Sequence, residues 1–180
     1  MLTLGSGKIY VAAWQSGVNP ENPGGVYTGT YVPTLIGEIG GDVEFNMGLQ
    51  EAEFRGQHNF PIAKAFFGGN LTIGARGVEL DFDNLERFWA ETSTSTGGND
   101  VYTVDYDTQP HPLYVKMVHN RTDVIGETVT IHVWKAYAPT LNFPFMREDI
   151  SQTDIDFVAI SDSTLTGAAN QIIRVEVSQA

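Results

Sequence analysis

Leu113-Tyr114-Val115-Lys116-Met117 and Val129-Thr130-Ile131-His132-Val133 are the stretches that decide the fold class. In each, an aliphatic residue returns at every second position, with a polar or aromatic residue between. Successive side chains of a strand point to opposite faces, so this period gives one dry face and one polar face, as in half-buried antiparallel strands. The same alternation extends outward from these two runs. Ile9, Val11 and Ala13 alternate with Lys8, Tyr10 and Ala12, and Ile155, Phe157 and Ala159 alternate with Asp154 and Asp156. Near the end, Ile173, Val175 and Val177 alternate with Arg174 and Glu176.

Most of the 19 Gly and 8 Pro fall between these runs. Gly24-Gly25, Gly40-Gly41, Gly68-Gly69 and Gly97-Gly98 read as punctuation, where turns need a positive or a fixed φ. Helical spacing shows once. Phe82, Leu85 and Trp89, with Phe88 beside them, form an apolar stripe over about residues 82–91. Asp81 or Asp83 is placed to cap its first turn, and Asp83 with Glu86 resembles a capping box. Residues 92–100 read as a mobile polar loop. Trp14 to Pro33 reads as an irregular arm of prolines, glycines and aromatics, and Ser161 to Asn170 as a small polar stretch. No repeat and no dividing linker interrupts the chain. The expectation is one mainly β domain over residues 1–180: an antiparallel β-sandwich or barrel with one flanking α-helix and extended arms.

A chain of 180 residues holds a core without staples, and with no Cys it has neither disulfides nor thiolate metal sites. The absence of Cys fits synthesis in a reducing cytoplasm. No run of 18 apolar residues is present, and Met1-Leu2-Thr3-Leu4-Gly5 lacks the basic and apolar regions of a secretion signal. Net charge is −12, from 22 acids against 10 bases, which repels phosphate and argues against tight nucleic-acid binding. The acids cluster. Glu38, Asp42, Glu44, Glu51 and Glu53 arrive with no base between them, as do Glu148, Asp149, Asp154, Asp156 and Asp162.

Motifs of catalysis are weak. Gly5-Ser6-Gly7-Lys8 fails as a phosphate loop, because Leu2 and Ile9 stand where that loop needs Gly and Ser or Thr. A turn leading into a strand fits it better. His58, His111, His119 and His132 show no helical metal spacing and read as surface or ladder histidines. Asp105-Tyr106-Asp107 and Asp154-Ile155-Asp156 put paired carboxylates on one strand face without the frame of a calcium loop. There is no Gly-x-Ser-x-Gly elbow and no thiol nucleophile. Asn120-Arg121-Thr122 matches a glycosylation sequon with no signal peptide to make it meaningful. The expectation is a non-enzyme with no catalytic, cofactor or metal site. Phe60-Pro61, Phe66-Phe67 and Phe143-Pro144-Phe145 lie near expected strand ends and suit either core packing or an apolar contact patch.

The order of features is more telling than any single motif. A Gly-x-Gly-Lys-Ile-Tyr strand (5–10) precedes the long arm; then come Leu35-Ile36-Gly37-Glu38 and the acidic Asp42-Val43-Glu44-Phe45. Gly56-x3-Phe60-Pro61-Ile62-Ala63-x-Ala65 follows, then a Gly-rich strand and the stripe around Asn84 to Trp89. Val129 to Tyr137, Ala138-Pro139-Thr140-Leu141-Asn142-Phe143 and Asp154-Ile155-Asp156-Phe157 complete the series. This order resembles the tail tube (major tail) proteins of siphovirus-type bacteriophages. The resemblance implies hexameric rings that stack into a hollow tail tube, with an acidic lumen through which genomic DNA passes without sticking. It implies self-association, contact with tape measure, terminator and baseplate or tip proteins, no membrane, and a place in the virion tail after synthesis in the host cytoplasm. Trp14, Val26, Tyr27, Tyr31, Phe45, Met47 and Leu49 are the expected ring–ring contacts, within the arm and a Gly40–Phe54 hairpin. Glu44, Asp154 and Asp156 are the expected lumen acids. The alternatives are another structural protein of the particle, such as a capsid decoration, tail terminator or adaptor protein, and a carbohydrate-binding β-sandwich stacking sugars on Trp14, Trp89 and Trp134.

Overall fold

A computed structural model describes residues 4–15, 33–41, 43–55, 61–80, 87–89, 92–96, 99–103, 107, 109–122, 124–142, 152–161 and 172–178. The described chain is built of ten strands. They are β1 (Leu4–Ala13), β2 (Thr34–Ile39), β3 (Val43–Arg55), β4 (Pro61–Leu80), β5 (Thr92–Thr96), β6 (Asn99–Thr103), β7 (Leu113–Arg121), β8 (Thr128–Asn142), β9 (Thr153–Ala159) and β10 (Ile173–Val177). The strands β8, β7, β1, β2, β4 and β9 follow one another around a ring, and β9 pairs back onto β8. The result is a closed six-stranded antiparallel barrel, which settles the sandwich-or-barrel alternative.

Alternation explains the closure. Ile9, Val11, Ile73, Val78, Val115, Met117, Ile131, Val133, Ile155 and Phe157 all turn inward and are buried. They fill the barrel as one core, so its interior is packed with side chains. Phe88 plugs the barrel beside Phe157, with ring centroids 6.3 Å apart. The indole N–H of Trp89 donates to the carbonyl of Ala138 at 2.8 Å. Residues 87–89 form a single tight turn, and no α-helix is found among the described residues. The rest of the expected helix, 82–86 and 90–91, lies outside them.

Two strands are longer than the barrel is tall and share out their edges. One edge of β8 runs along β7, while its other edge pairs first with β10 (Val129↔Val177 to Val133↔Ile173) and then with β9 (Ala136↔Ala159 to Asn142↔Asp154). β4 behaves alike. Its Leu71–Val78 stretch pairs with β9, while the other edge takes β3 over 61–75 and β2 over 78–80. The handover occurs at Gly77, whose φ of 61° is a conformation that favours glycine. There the Gly40 N–H donates to the Gly77 carbonyl and the Gly41 N–H to the Arg76 carbonyl, both at 3.0 Å. β3 and β10 are therefore overhangs that leave the closed wall.

Beyond the last β9 partner, Leu71↔Ala159, residues 61–70 of β4 pair only with β3 among the described residues. This two-stranded ribbon reaches roughly 30 Å at about 3.3 Å per residue. Residues 92–103, expected to be a loop to Asp100, hold the β5–β6 hairpin, Thr92↔Thr103 to Thr96↔Asn99. The Thr residues alternating along β5 favour a strand.

Candidate functional site: the overhanging strands

Cross-strand register assigns each overhang residue to a face. Val43, Phe45 and Met47 lie opposite Ala75, Ile73 and Leu71, which point into the core. Ile173, Val175 and Val177 lie opposite Val133, Ile131 and Val129, which do the same. Both overhangs thus continue the core face past the point where the barrel closes over it. The consequence is exposed apolar surface: Phe45 43%, Met47 72%, Val175 55% and Val177 46%. Of the large hydrophobic residues that are exposed, only Leu35 and Ile125, the latter at the β7–β8 hairpin tip, lie elsewhere among the described residues.

Phe45 and Met47 were expected contact residues, and both are exposed on β3. The Gly40–Phe54 segment runs from the Gly40-Gly41 corner along β3, whose hairpin partner is β4. Leu49 pairs with Gly69 through the backbone, and its side chain lies outside the described residues. Val26, Tyr27 and Tyr31 lie outside them as well, with the rest of the arm over 16–32. Trp14 is half-buried against its own barrel, where its backbone N–H donates to the Pro112 carbonyl at 2.9 Å and Lys135 Nζ lies 3.6 Å over its ring.

The three expected lumen acids meet on the outside of the barrel wall. Glu44 and Asp156 flank Gly74 from either side, on β3 and β9. Arg76 folds back over Gly74 and reaches both, 2.7 Å to Asp156 and 3.3 Å to Glu44. A Cβ at position 74 would stand 2.6 Å from the guanidinium, so glycine supplies the seat for this bridge. Asp154 accepts the Gly77 N–H at 3.0 Å. The bond to Asp156, then its charge and those of Glu44, raise the Arg76 pKa above its ordinary value against the opposing effect of burial. One guanidinium among three carboxylates leaves the patch acidic. Sequence spacing could not reveal Arg76 as its organiser, because the bridge crosses three strands.

The histidine expectation changes for two residues. His119 is 1% exposed and faces Gly7 across β1–β7, inside the barrel. His132 is 3% exposed and belongs to an aromatic cluster on the outer face of β7 and β8. There its Nδ1 lies 2.7 Å from the Tyr114 hydroxyl, and its ring stacks on Trp134 at 5.8 Å. Among the described residues no group of His, Asp and Glu is arranged to hold a metal ion. Nor is any helix among them long and apolar enough to cross a membrane. Trp134 is buried and Trp89 packs on the core, which removes both as exposed sugar platforms.

No family model matches the sequence, and no curated protein does. Among solved structures, the chain is similar to the sheath/tube terminator of an extracellular contractile injection system (PVC) in its extended state. The TM-score is 0.40 and the identity 12%, over 96% of this chain and 94% of that one.

Proposed function

We propose that this chain is a structural component of a phage-tail-like particle and works by assembling with copies of itself into a ring. The observation that carries this reading is the exposed core face of β3, where Phe45 and Met47 stand open beside Ile73 and Leu71 of the barrel wall. Interfaces concentrate large apolar and aromatic residues at their centre, and covering these two removes their apolar area from water. The filled barrel requires any conduit to lie between subunits, with the Glu44–Asp154–Asp156 patch as the candidate wall that repels DNA phosphates. Such a role needs no catalytic residues, and its partners are other copies and neighbouring tail proteins.

Two forms use the same surfaces: rings of six that stack into a tail tube, and a single ring that ends a tube. Negative-stain electron microscopy with light scattering separates them. Hollow tubes support the tube form, and discrete rings that never stack support the terminator form. A double substitution Phe45→Lys and Met47→Lys is expected to abolish either assembly with the melting temperature unchanged. A particle that assembles normally with both lysines refutes the use of this face.

A further inference from the structure

We propose that the β3 edge of one copy pairs with the β10 edge of the next copy, in parallel, making one sheet that runs from subunit to subunit. This rests on the self-assembly reading above and names the surfaces that perform it.

The sheet path runs β10-β8-β7-β1-β2-β4-β3, and among the described residues its two end strands are each paired on one side only. Open edges are ordinarily blunted by Lys or Pro. Residues 43–48 of β3 and the whole of β10, Ile-Arg-Val-Glu-Val, contain neither. Both edges also carry exposed apolar residues on the core face, so joining them makes that face continuous across the junction.

Polarity follows from the topology. Six antiparallel steps separate β10 from β3, so the two strands run in the same direction. Rotation about an axis along that direction preserves strand sense, so head-to-tail joining around a ring brings β3 and β10 together in parallel. Charge agrees with this arrangement in the register that pairs Phe45 with Val175. With Phe45 opposite Val175, a parallel register sets Met47 beside Val177 and Glu44 beside Arg174. The antiparallel alternative through the same pair sets Glu44 beside Glu176, a like-charge contact. The side chains of Glu44 and Arg174 are about half exposed, at 55% and 52%; each already pairs within its own subunit, with Arg76 and Glu176, and the junction joins the two pairs.

The wild-type chain contains no Cys, so engineered thiols report only this contact. Adjacent strands lie about 4.8 Å apart, within disulfide reach. Full-length protein carrying Phe45→Cys and Val175→Cys is oxidised and run on a non-reducing gel, with Met47→Cys plus Val177→Cys as a second pair. The expected result is loss of most of the monomer band to a ladder at multiples of 19.7 kDa. Mixing the two single variants of either pair gives dimers and nothing longer. Efficient dimers from Val175→Cys alone would show a two-fold β10–β10 contact and overturn the proposal. So would a Met47→Cys plus Ile173→Cys ladder stronger than that of Met47→Cys plus Val177→Cys, which marks an antiparallel junction. If light scattering shows assembly while neither pair crosslinks, the edge proposal fails and the ring reading stands. If the wild type shows no assembly at any concentration, both fail.

Discussion

Replacing Gly37 by Ala tests the barrel at its shortest seam. β2 and β4 meet through three pairs only, Gly37↔Leu80, Glu38↔Glu79 and Ile39↔Val78, whereas β1 and β7 share eight. A Cβ at Gly37 would stand 2.3 Å from the Glu79 carbonyl oxygen, 3.0 Å from Val78 Cγ1 and 3.1 Å from the Glu79 carbonyl carbon. Ordinary contact begins at 3.4 Å, so the strands must part by 1.1 Å (3.4 − 2.3) against backbone, which cannot rotate away. Opening a hydrogen bond of about 2.9 Å by that much breaks it. Losing two or three such bonds, each about 1 kcal/mol net, outweighs the roughly 0.4–1 kcal/mol that Ala gains by restricting the unfolded chain. The net loss is about 1–2.5 kcal/mol, or roughly 2–10 °C in melting temperature for a chain of this size. Gly48→Ala is the control, because nothing lies within 4 Å of its Cβ position. Thermal unfolding followed by circular dichroism compares the two. If Gly37→Ala melts with Gly48→Ala, the close approach at the seam does not exist as described.

Phe157 is fully buried in the barrel, so Phe157→Ala is expected to cost about 3–5 kcal/mol, measured as a shift of the urea midpoint with little change in slope. Arg76→Met removes the bridge between Glu44 and Asp156; partial exposure limits the loss to roughly 0.5–1 kcal/mol. Because the folded Arg76 pKa is raised, its contribution is fully present below the unfolded pKa and lost only above the folded one. The stability difference between Arg76→Met and wild type should therefore show no alkaline fall between pH 6 and about pH 9, a point urea titrations at several pH values can check. Tyr114→Phe removes the hydroxyl 2.7 Å from His132 Nδ1, and a loss of about 1–2 kcal/mol is expected by the same titration.

The sequence showed the strands where one face is wet and the other dry. β7, β9 and the inner half of β8 were legible because Val115, Met117, Ile155, Phe157, Ile131 and Val133 recur with period two. It misled where glycine sits inside a strand and not at a turn. Gly68-Gly69 lies inside β4, and Gly5-Ser6-Gly7 lies inside β1, where the His119 ring occupies the space above Gly7. The second buried face of β7 and β8 was also hidden. Tyr114, His132 and Trp134 occupy the positions that alternation assigns to solvent, and they are buried by one another and Ala12. Of the candidate site, Phe45 and Met47 were named as contact residues within the Gly40–Phe54 segment. Val175 and Val177 were assigned to an ordinary strand, since period alone cannot tell a core strand from one that overhangs the core.

The handover at Gly77 also determines how the molecule bears load. β4 passes without interruption from the ribbon into the barrel wall. A tug along the ribbon therefore pulls β4 lengthwise, at right angles to its bonds with β9 and β2. Those bonds resist together, as rivets in a lap joint do, where a pull at right angles would undo them one by one. The ribbon is anchored as a tensile member, suited to carrying force into the barrel without peeling it open.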